Sequence, residues 1–577
     1  MRYMAVACDY DGTLALDGSV DHATLDALHR LRSSGRQLIL VTGRRLAELL
    51  SVFGHADIFD LVVAENGATL YEPKGQTEKA LAEPLPESFI RLLREHEVEP
   101  LEVGRVVVAT WQPHENVILR TIQELGLELQ VIFNKGAVMV LPAGINKASG
   151  LRAALEKLKL SAHNLVGVGD AENDHAFLSL CECSVAVANA LPAIKENADW
   201  ITKGDHGAGV VELIEEILKN DLSHLDSGLS RHHIVVGMRD AGQAVKMSPY
   251  GHNVLVAGTS GAGKSTLAAS ILEQLVDSDY QCCVIDSEGD YESFENVLVL
   301  GNKDRAPSVN EVLQILETPL TKPVVNLLGL PLRDRPAFLT ALLPGIQELR
   351  RRFGRPHWLV VDEAHHMLGR ESKPAGLTLS DEMHGMIFIT VHPKDLSPSI
   401  LSMTDEVIAI GKEPLKILQK IDPDVAKRAN LAERGSEETN QALFWSRRDM
   451  DVPFKISTIS TRTELRRHRR KYAEGEIGPQ KSFYFRGPEN KLNLRASNLT
   501  VFLQLGEGVD AATWNYHLHR GDYARWFREV IKDPELADET SCIQKLPHLT
   551  AAESRALIKA AVEKTYTSHV KADDVEE

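Results

Sequence analysis

Asp9 and Asp11 close a strand-like run, MRYMAVACDYDGTLA, and stand two residues apart, so both carboxylates can face the same end of one strand. The C-terminal ends of strands are where open α/β sheets take their ligands. With Gly12 and Thr13 to turn the chain, the pair supplies a nucleophilic carboxylate and a neighbouring acid/base, which making and hydrolysing an acyl phosphate requires. Three further elements follow in order. LILVTGR ends at Thr42, whose hydroxyl can hold a phosphate oxygen; GINKASG offers Lys147 as a cation; LVGVGDAEND ends another strand with Asp170, Asn173 and Asp174, Asn173 adding an amide for the phosphate. Acids on neighbouring strand ends suit a hard divalent ion, which relieves their repulsion of an incoming phosphate dianion.

A second, unrelated phosphate chemistry lies downstream. HNVLVAGTSGAGKST reads as a strand opening into Gly258, Thr259, Ser260, Gly261, Ala262, Gly263, Lys264, Ser265 and Thr266, and GTSGAGKS satisfies GxxxxGK[ST] in full. Glycines let backbone N–H groups turn inward on phosphates, Lys264 reaches the β and γ groups of ATP, and Ser265 can hold Mg2+. HWLVVDEAHHML supplies the partner strand, with Asp362 behind the metal and Glu363 polarising the attacking water. GMIFITVHP ends in Thr390 and His392, polar groups suited to sensing the γ-phosphate or to capping the strand end.

Both sets of residues need parallel sheets to deliver them. Apolar runs alternate with helix-periodic segments through the first two-thirds of the chain, as in VDHATLDALHRLRSSG followed by RQLILVTG, the rhythm of βαβ units. The first series closes with VVELIEEILKN. The polar stretch NDLSHLDSGLS then reads as a linker, and a second series runs from HHIVVGM to EVIAIG. The expected fold is α/β, with domains at 1–222, 231–450 and 451–577.

On these motifs, residues 1 to about 220 resemble a haloacid dehalogenase superfamily phosphatase of the Cof or sucrose-phosphatase-like branch. The resemblance implies Asp9 as nucleophile, Asp11 as general acid/base, Thr42 and Lys147 as phosphate ligands, and Mg2+ held by Asp9, Asp11, Asp170 and Asp174. It also implies a Rossmann-like core with a small α+β cap at about 73–143, where His114, Asn134 and Lys135 are candidates to face the leaving group. Residues 231–450 resemble HerA/FtsK-type P-loop ATPases of the RecA-like class, with VIDSEGDYE as that family's acidic strand-end motif. This implies ATP hydrolysis, a homo-oligomer that can be a ring, and an arginine from a neighbouring subunit, for which Arg351, Arg352 and Arg355 are candidates.

Bulk properties narrow the setting. The 577 residues exceed one hydrophobic core, and 43% hydrophobic with 25% charged residues is a globular balance. No apolar stretch spans a bilayer, no export pattern opens the chain, and six scattered cysteines without paired knuckles fit a reducing compartment, so a cytoplasmic protein without a membrane partner is expected. A net charge of −17 repels nucleic acid over most of the surface, so nucleic-acid binding would need a local basic stripe such as Arg466–Lys471. The C-terminal region reads as mainly helical, with Trp514, Tyr523, Trp526 and Phe527 as its core, and is similar to an uncharacterised module that accompanies such hydrolases. Three functions fit: a phosphatase joined to an ATPase, acting on a phosphorylated small molecule; an ATP-driven nucleic-acid translocase that processes ends; or a phosphatase with an ATP-sensing, oligomerising switch.

Overall fold

The computed structural model describes residues 1–577 except 135, 227, 240–241, 260, 371–382, 412, 426–440, 449–451, 460, 463–478, 532, 547–548 and 567–577. Two compact units result: Met1–Asp286 with Asn296–Thr461, and Ser287–Glu295 with Arg462–Glu577. The Arg466–Lys471 run lies outside the described residues.

The first sheet has eight strands: β1 (Ala5–Asp9), β2 (Gln37–Val41), β3 (Leu61–Ala64), β4 (Thr69–Glu72), β5 (Thr77–Ala80) and, after an inserted cap, β10 (Leu165–Gly169), β11 (Cys183–Ala186) and β12 (Trp200–Ile201), in the order 12-11-10-1-2-3-4-5. Strands 12 to 3 are parallel, and β4 and β5 return antiparallel. β1 sits in the middle with all five residues buried, which is why it reads as a continuous apolar run rather than an alternating one. The cap carries β6 (Glu102–Val103), β7 (Val108–Trp111), β8 (Leu129–Asn134) and β9 (Ala137–Pro142) in one antiparallel sheet, with helices Glu87–Glu95 and Glu115–Glu124 packed on one face.

The second sheet has eleven strands. Its parallel part comprises β15 (Asn253–Gly258), β16 (Cys282–Asp286), β17 (Leu298–Leu300), β18 (Pro323–Asn326), β19 (Trp358–Val361), β20 (Met386–Thr390) and β21 (Glu406–Ile410). β13 (Ile234–Met238), β14 (Ala244–Met247), β22 (Gln441–Ser446) and β23 (Phe454–Ser457) extend it antiparallel beyond β21. β20 lies between β15 and β19, so the glycine-rich loop and the acidic strand end are separated by one strand, and Thr390 ends that strand.

The stretch after helix His206–Asn220, polar enough to read as a tether, is anchored instead. Leu222 and Leu229 are buried in the first core, Asp221 accepts from Arg36 at 2.9 Å, and Asp226 pairs with Arg2. The two sheets then meet at the N-terminal ends of their strands. Glu182, just before β11, accepts from Arg2 at 2.7 Å and from the Tyr280 hydroxyl, and bonds His163 Nδ1 at 2.7 Å. His163 stacks on Tyr280 at 3.7 Å and reaches the Ser278 carbonyl, while His357, just before β19, bonds Asn164 at 3.0 Å. His163, Glu182 and His232 lie close enough to share an ion. However, both Glu182 oxygens are already engaged and a guanidinium sits 2.7 Å away, so the trio is a clamp between domains. Both catalytic edges lie at the opposite, C-terminal ends of the strands.

Burial alone would push the Glu182 carboxyl up; the hydrogen bond from His163 and the charges of Arg2 and His232 outweigh it and hold it well below the usual glutamate range. A depressed carboxyl contributes stability that is present above its unfolded value and is lost as the pH falls through and below that range. Breaking a buried pair leaves an uncompensated charge, so Glu182→Gln should cost about 3–5 kcal/mol. Urea unfolding of the full chain at neutral pH reads this directly, and an unchanged midpoint would remove the clamp from the account.

The second unit is mainly helical with a short hairpin, β24 (Phe483–Phe485) and β25 (Leu494–Ala496), that the sequence pattern did not reveal. Trp514, Tyr523, Trp526 and Phe527 are all buried in its core; the Trp514 indole donates to Ser554 Oγ and the Trp526 indole to the Lys481 carbonyl, both at 2.9 Å. No helix among the described residues is long and apolar enough to cross a membrane.

Candidate active sites

The first site gathers at the C-terminal edge of the eight-stranded sheet. Asp9 ends β1, Thr42 follows β2, Asp170 follows β10, and Lys147 opens the helix Lys147–Leu158 behind an Asn146 cap. Lys147 Nζ donates to Asp9 Oδ1 and Asp174 Oδ1, each at 2.5 Å. Asp174 Oδ2 accepts the N–H groups of Asp170 and Ala171, and Thr13 Oγ1 donates to Asp170 Oδ1 at 3.1 Å. Carboxylate oxygens of Asp9, Asp170 and Asp174 lie within 4.8 Å of one another, all buried. Three acids against one ammonium leave two negative charges, the charge a divalent cation neutralises, and the all-oxygen donor set suits Mg2+. The charge excess also shows in the acids themselves: burial first, then Asp174, push the Asp9 carboxyl well up despite Lys147. Lys147, which burial alone would lower, is held above its usual range by Asp174 and Asp9.

Asp11 is turned away from this trio. Its two oxygens accept Arg44 Nε and Nη2, both at 2.7 Å, and Arg44 also pairs with Glu48. Arg44 was not legible as a site residue, because TGRR alone does not say which arginine turns inward. Asn173 donates to Asn66 Oδ1 at 3.0 Å. Gly67 has φ +101° and passes so close to the helix carrying Lys147 that a Cβ there would sit 1.9 Å from the Asn146 carbonyl, so only glycine lets this loop lie against that helix. Glu65, buried and with φ +52°, accepts the N–H groups of Arg105, Val106 and Val107 and so ties the cap's connecting loop to the core. Of the proposed cap contacts, His114 is bonded to the Glu99 carbonyl at the start of the outer helix Glu115–Glu124, while Lys135 and the Asn134 side chain lie outside the described residues.

The second site follows β15. Gly261 and Gly263 have φ +74° and +100°, and helix Lys264–Asp277 begins after Gly263 with no side-chain cap, leaving its N-terminal amides facing the loop. Such an N-terminus is an anion site. Lys264 is buried, with Nζ 3.2 Å from the Thr259 carbonyl; Ser265 and Thr266 are half-buried; Ser260 lies outside the described residues. Asp362 and Glu363 are buried at the end of β19. Glu363 is held at φ +47°, a left-handed conformation that costs a non-glycine residue about 1–3 kcal/mol. His365 Nδ1 lies 3.1 Å from Thr390 Oγ1 and 3.4 Å from Glu363. Burial, with His366 and His392 nearby, pushes the His365 imidazole down to about 4, so it stays neutral beside the acids. The structure also removes one arginine candidate. Arg355 is fully buried and donates to the carbonyls of Leu316, Glu317 and Lys159, so it cannot reach into another subunit, whereas Arg351 is largely exposed and pairs with Glu348 and Arg352 is exposed.

Two phosphate-handling α/β domains thus share one chain. Residues 6–104 and 115–214 match the family model of haloacid dehalogenase-like hydrolases, and residues 246–332 match that of the central domain of helicase HerA. Phosphoglycolate phosphatase of Methanosarcina acetivorans is 29% identical over 226 residues, covering 38% of this chain and 99% of its own length; that of Methanothermobacter thermautotrophicus is 28% identical over 223 residues, covering 37% and 98%. Phosphoglycolate phosphatase 2 of Saccharolobus solfataricus is 29% identical over 224 residues, covering 37% and 93%. The chain is an enzyme that carries a haloacid dehalogenase-type phosphatase domain and a HerA-type P-loop ATPase domain.

Proposed function

We propose that this chain runs two separate Mg2+-dependent reactions: phosphomonoester hydrolysis through an aspartyl-phosphate on Asp9, and ATP hydrolysis at the P-loop. The observation carrying the first is the buried cluster of Asp9, Asp170 and Asp174 around Lys147. An Asp9 oxygen attacks phosphorus; the P–O bond to the leaving group breaks, and Asp11, once released from Arg44, gives that oxygen a proton. Water, losing its proton to Asp11, then attacks the acyl phosphate, freeing phosphate and restoring Asp9. Thr42, Lys147 and Asn173 hold the phosphoryl oxygens. Mg2+, held by Asp9, Asp170 and Asp174 with Asp11 alongside, would offset the charge that the acids and the phosphate bring together.

At the second site the amides from Gly258 to Thr266 and Lys264 would cradle the phosphates of bound ATP, Ser265 and Asp362 would hold Mg2+, and Glu363 would orient the attacking water. The phosphoglycolate phosphatases named above support a small phosphorylated 2-hydroxy acid as substrate. The HerA likeness supports a homo-oligomer that can close into a ring, with Arg351 or Arg352 reaching a neighbour. The charge of −17 favours a nucleotide-responsive role over translocation along DNA.

Chelation should abolish both activities, and Mg2+ should restore both. Adding Mg2+ without substrate should also raise the melting temperature of the full chain, and less so in Asp170→Ala, because a ligand bound only to the folded state stabilises it. Phosphoester turnover that survives exhaustive chelation would rule this mechanism out.

A further inference from the structure

Beside Thr42 the cap comes down onto the catalytic floor. Gly43 carries no side chain, and a Cβ there would lie 3.5 Å from Asn66 Oδ1, 3.5 Å from Met139 Cε and 3.7 Å from Asn173 Nδ2. These three side chains are linked in a row: Asn173 Nδ2 donates to Asn66 Oδ1 at 3.0 Å, and Asn66 Nδ2 donates to the Met139 sulfur at 3.1 Å. Met139 comes from β9, where Ala109 and Ile132 flank it across the sheet and Trp111 stands opposite Ala137 one step along the same face. The other face, with Val108, Val131, Val138 and Val140, is spent on the cap's own helices. Around Met139 the face turned to the site is apolar, with Gln130, bonded to the Ile145 carbonyl, and Glu102 farther along it. The two arginines at its rim are engaged, Arg44 with Asp11 and Glu48, and Arg45 with Glu102 of the cap at 3.0 Å.

A thioether is a weak acceptor, so the Asn66 amide donates to a poor partner, and Asn173 Oδ1 is buried with no partner among the described residues. A leaving group with an oxygen acceptor of its own would give the Asn66 amide a better bond. Its size is bounded by Met139, which already touches the floor. We propose that Met139 and Asn66, the latter oriented by its bond from Asn173, form the leaving-group subsite of the phosphatase domain, selecting a leaving group of two or three carbons that bears an oxygen acceptor for the Asn66 amide. Rejection of larger esters rests on Met139; preference among small ones rests on Asn66. This rests on the phosphatase reading above and deepens it.

The test is kcat/KM for 2-phosphoglycolate, glycerol phosphate, ethyl phosphate and a hexose 6-phosphate, in the wild-type full chain, Met139→Ala and Asn66→Asp. A methylene-sized change in an apolar pocket shifts discrimination by roughly 10–200-fold. Met139→Ala should therefore raise the hexose ester relative to phosphoglycolate by about tenfold or more. Asn66→Asp replaces the donor with an anion, and should lower phosphoglycolate relative to ethyl phosphate by a similar factor. Variants that change all four esters by one common factor would overturn the subsite, with circular dichroism and unchanged ATPase rates excluding misfolding. If the wild type hydrolyses none of the esters, the phosphatase reading itself fails instead, a distinguishable result.

Discussion

Asp9→Asn should abolish phosphomonoester turnover, by on the order of 10^4-fold or more, while leaving ATP hydrolysis within a factor of two or so. The size follows from chemistry: an amide cannot form the acyl phosphate, so nothing remains to split the displacement into two steps. The selectivity follows from the architecture. Asp9 stands at the C-terminal end of β1, the P-loop at the C-terminal end of β15, and the clamp joining their sheets binds the opposite strand ends. The substitution also removes a carboxyl that burial and Asp174 push up, so the metal-free variant should be no less stable than wild type at neutral pH. Parallel assays of both activities on one preparation check this. Residual ester turnover near wild type assigns the nucleophile elsewhere, and a matching loss of ATPase activity means the sites are not separate.

Glu363→Gln is the mirror image. The side chain keeps its size and the left-handed backbone at φ +47°, but loses the charge that polarises water, so ATP hydrolysis should drop on the order of 10^2–10^4-fold. ATP binding should survive, because Gly258–Thr266 and the amides of helix Lys264–Asp277 are untouched. Equilibrium binding of a fluorescent ATP analogue, alongside phosphate release from ATP and from a phosphoester, separates the outcomes. Lost binding would make Glu363 structural, and unchanged hydrolysis would move the catalytic carboxylate to another residue.

What was legible in the sequence is what local pattern encodes. β1 and β15 are buried in the middle of parallel sheets, so they read as unbroken apolar runs, and the acids or glycines that follow are pinned to a strand end. Whatever depends on chain segments meeting across long separations was not. Arg2, His163, Glu182, Tyr280 and His357 are unremarkable in sequence, and only the packing of two sheets makes them one clamp. Met139 looks like any strand methionine until the cap brings it to Asn66, 73 residues away. Arg355 reads as a surface cation at a helix end, yet its buried guanidinium is consumed by three backbone carbonyls. The 221–229 stretch misled for the opposite reason: Asp221 and Asp226 form ion pairs and two of its three leucines, Leu222 and Leu229, are core.

The most direct measurement is acid quench of the full chain during turnover of a 32P-labelled phosphoester with Mg2+, followed by peptide mapping. Label should appear, hydroxylamine-labile, on the peptide containing Asp9, be absent from Asp9→Asn, and persist in Glu363→Gln. Label on no peptide, or on one lacking Asp9, would contradict the account.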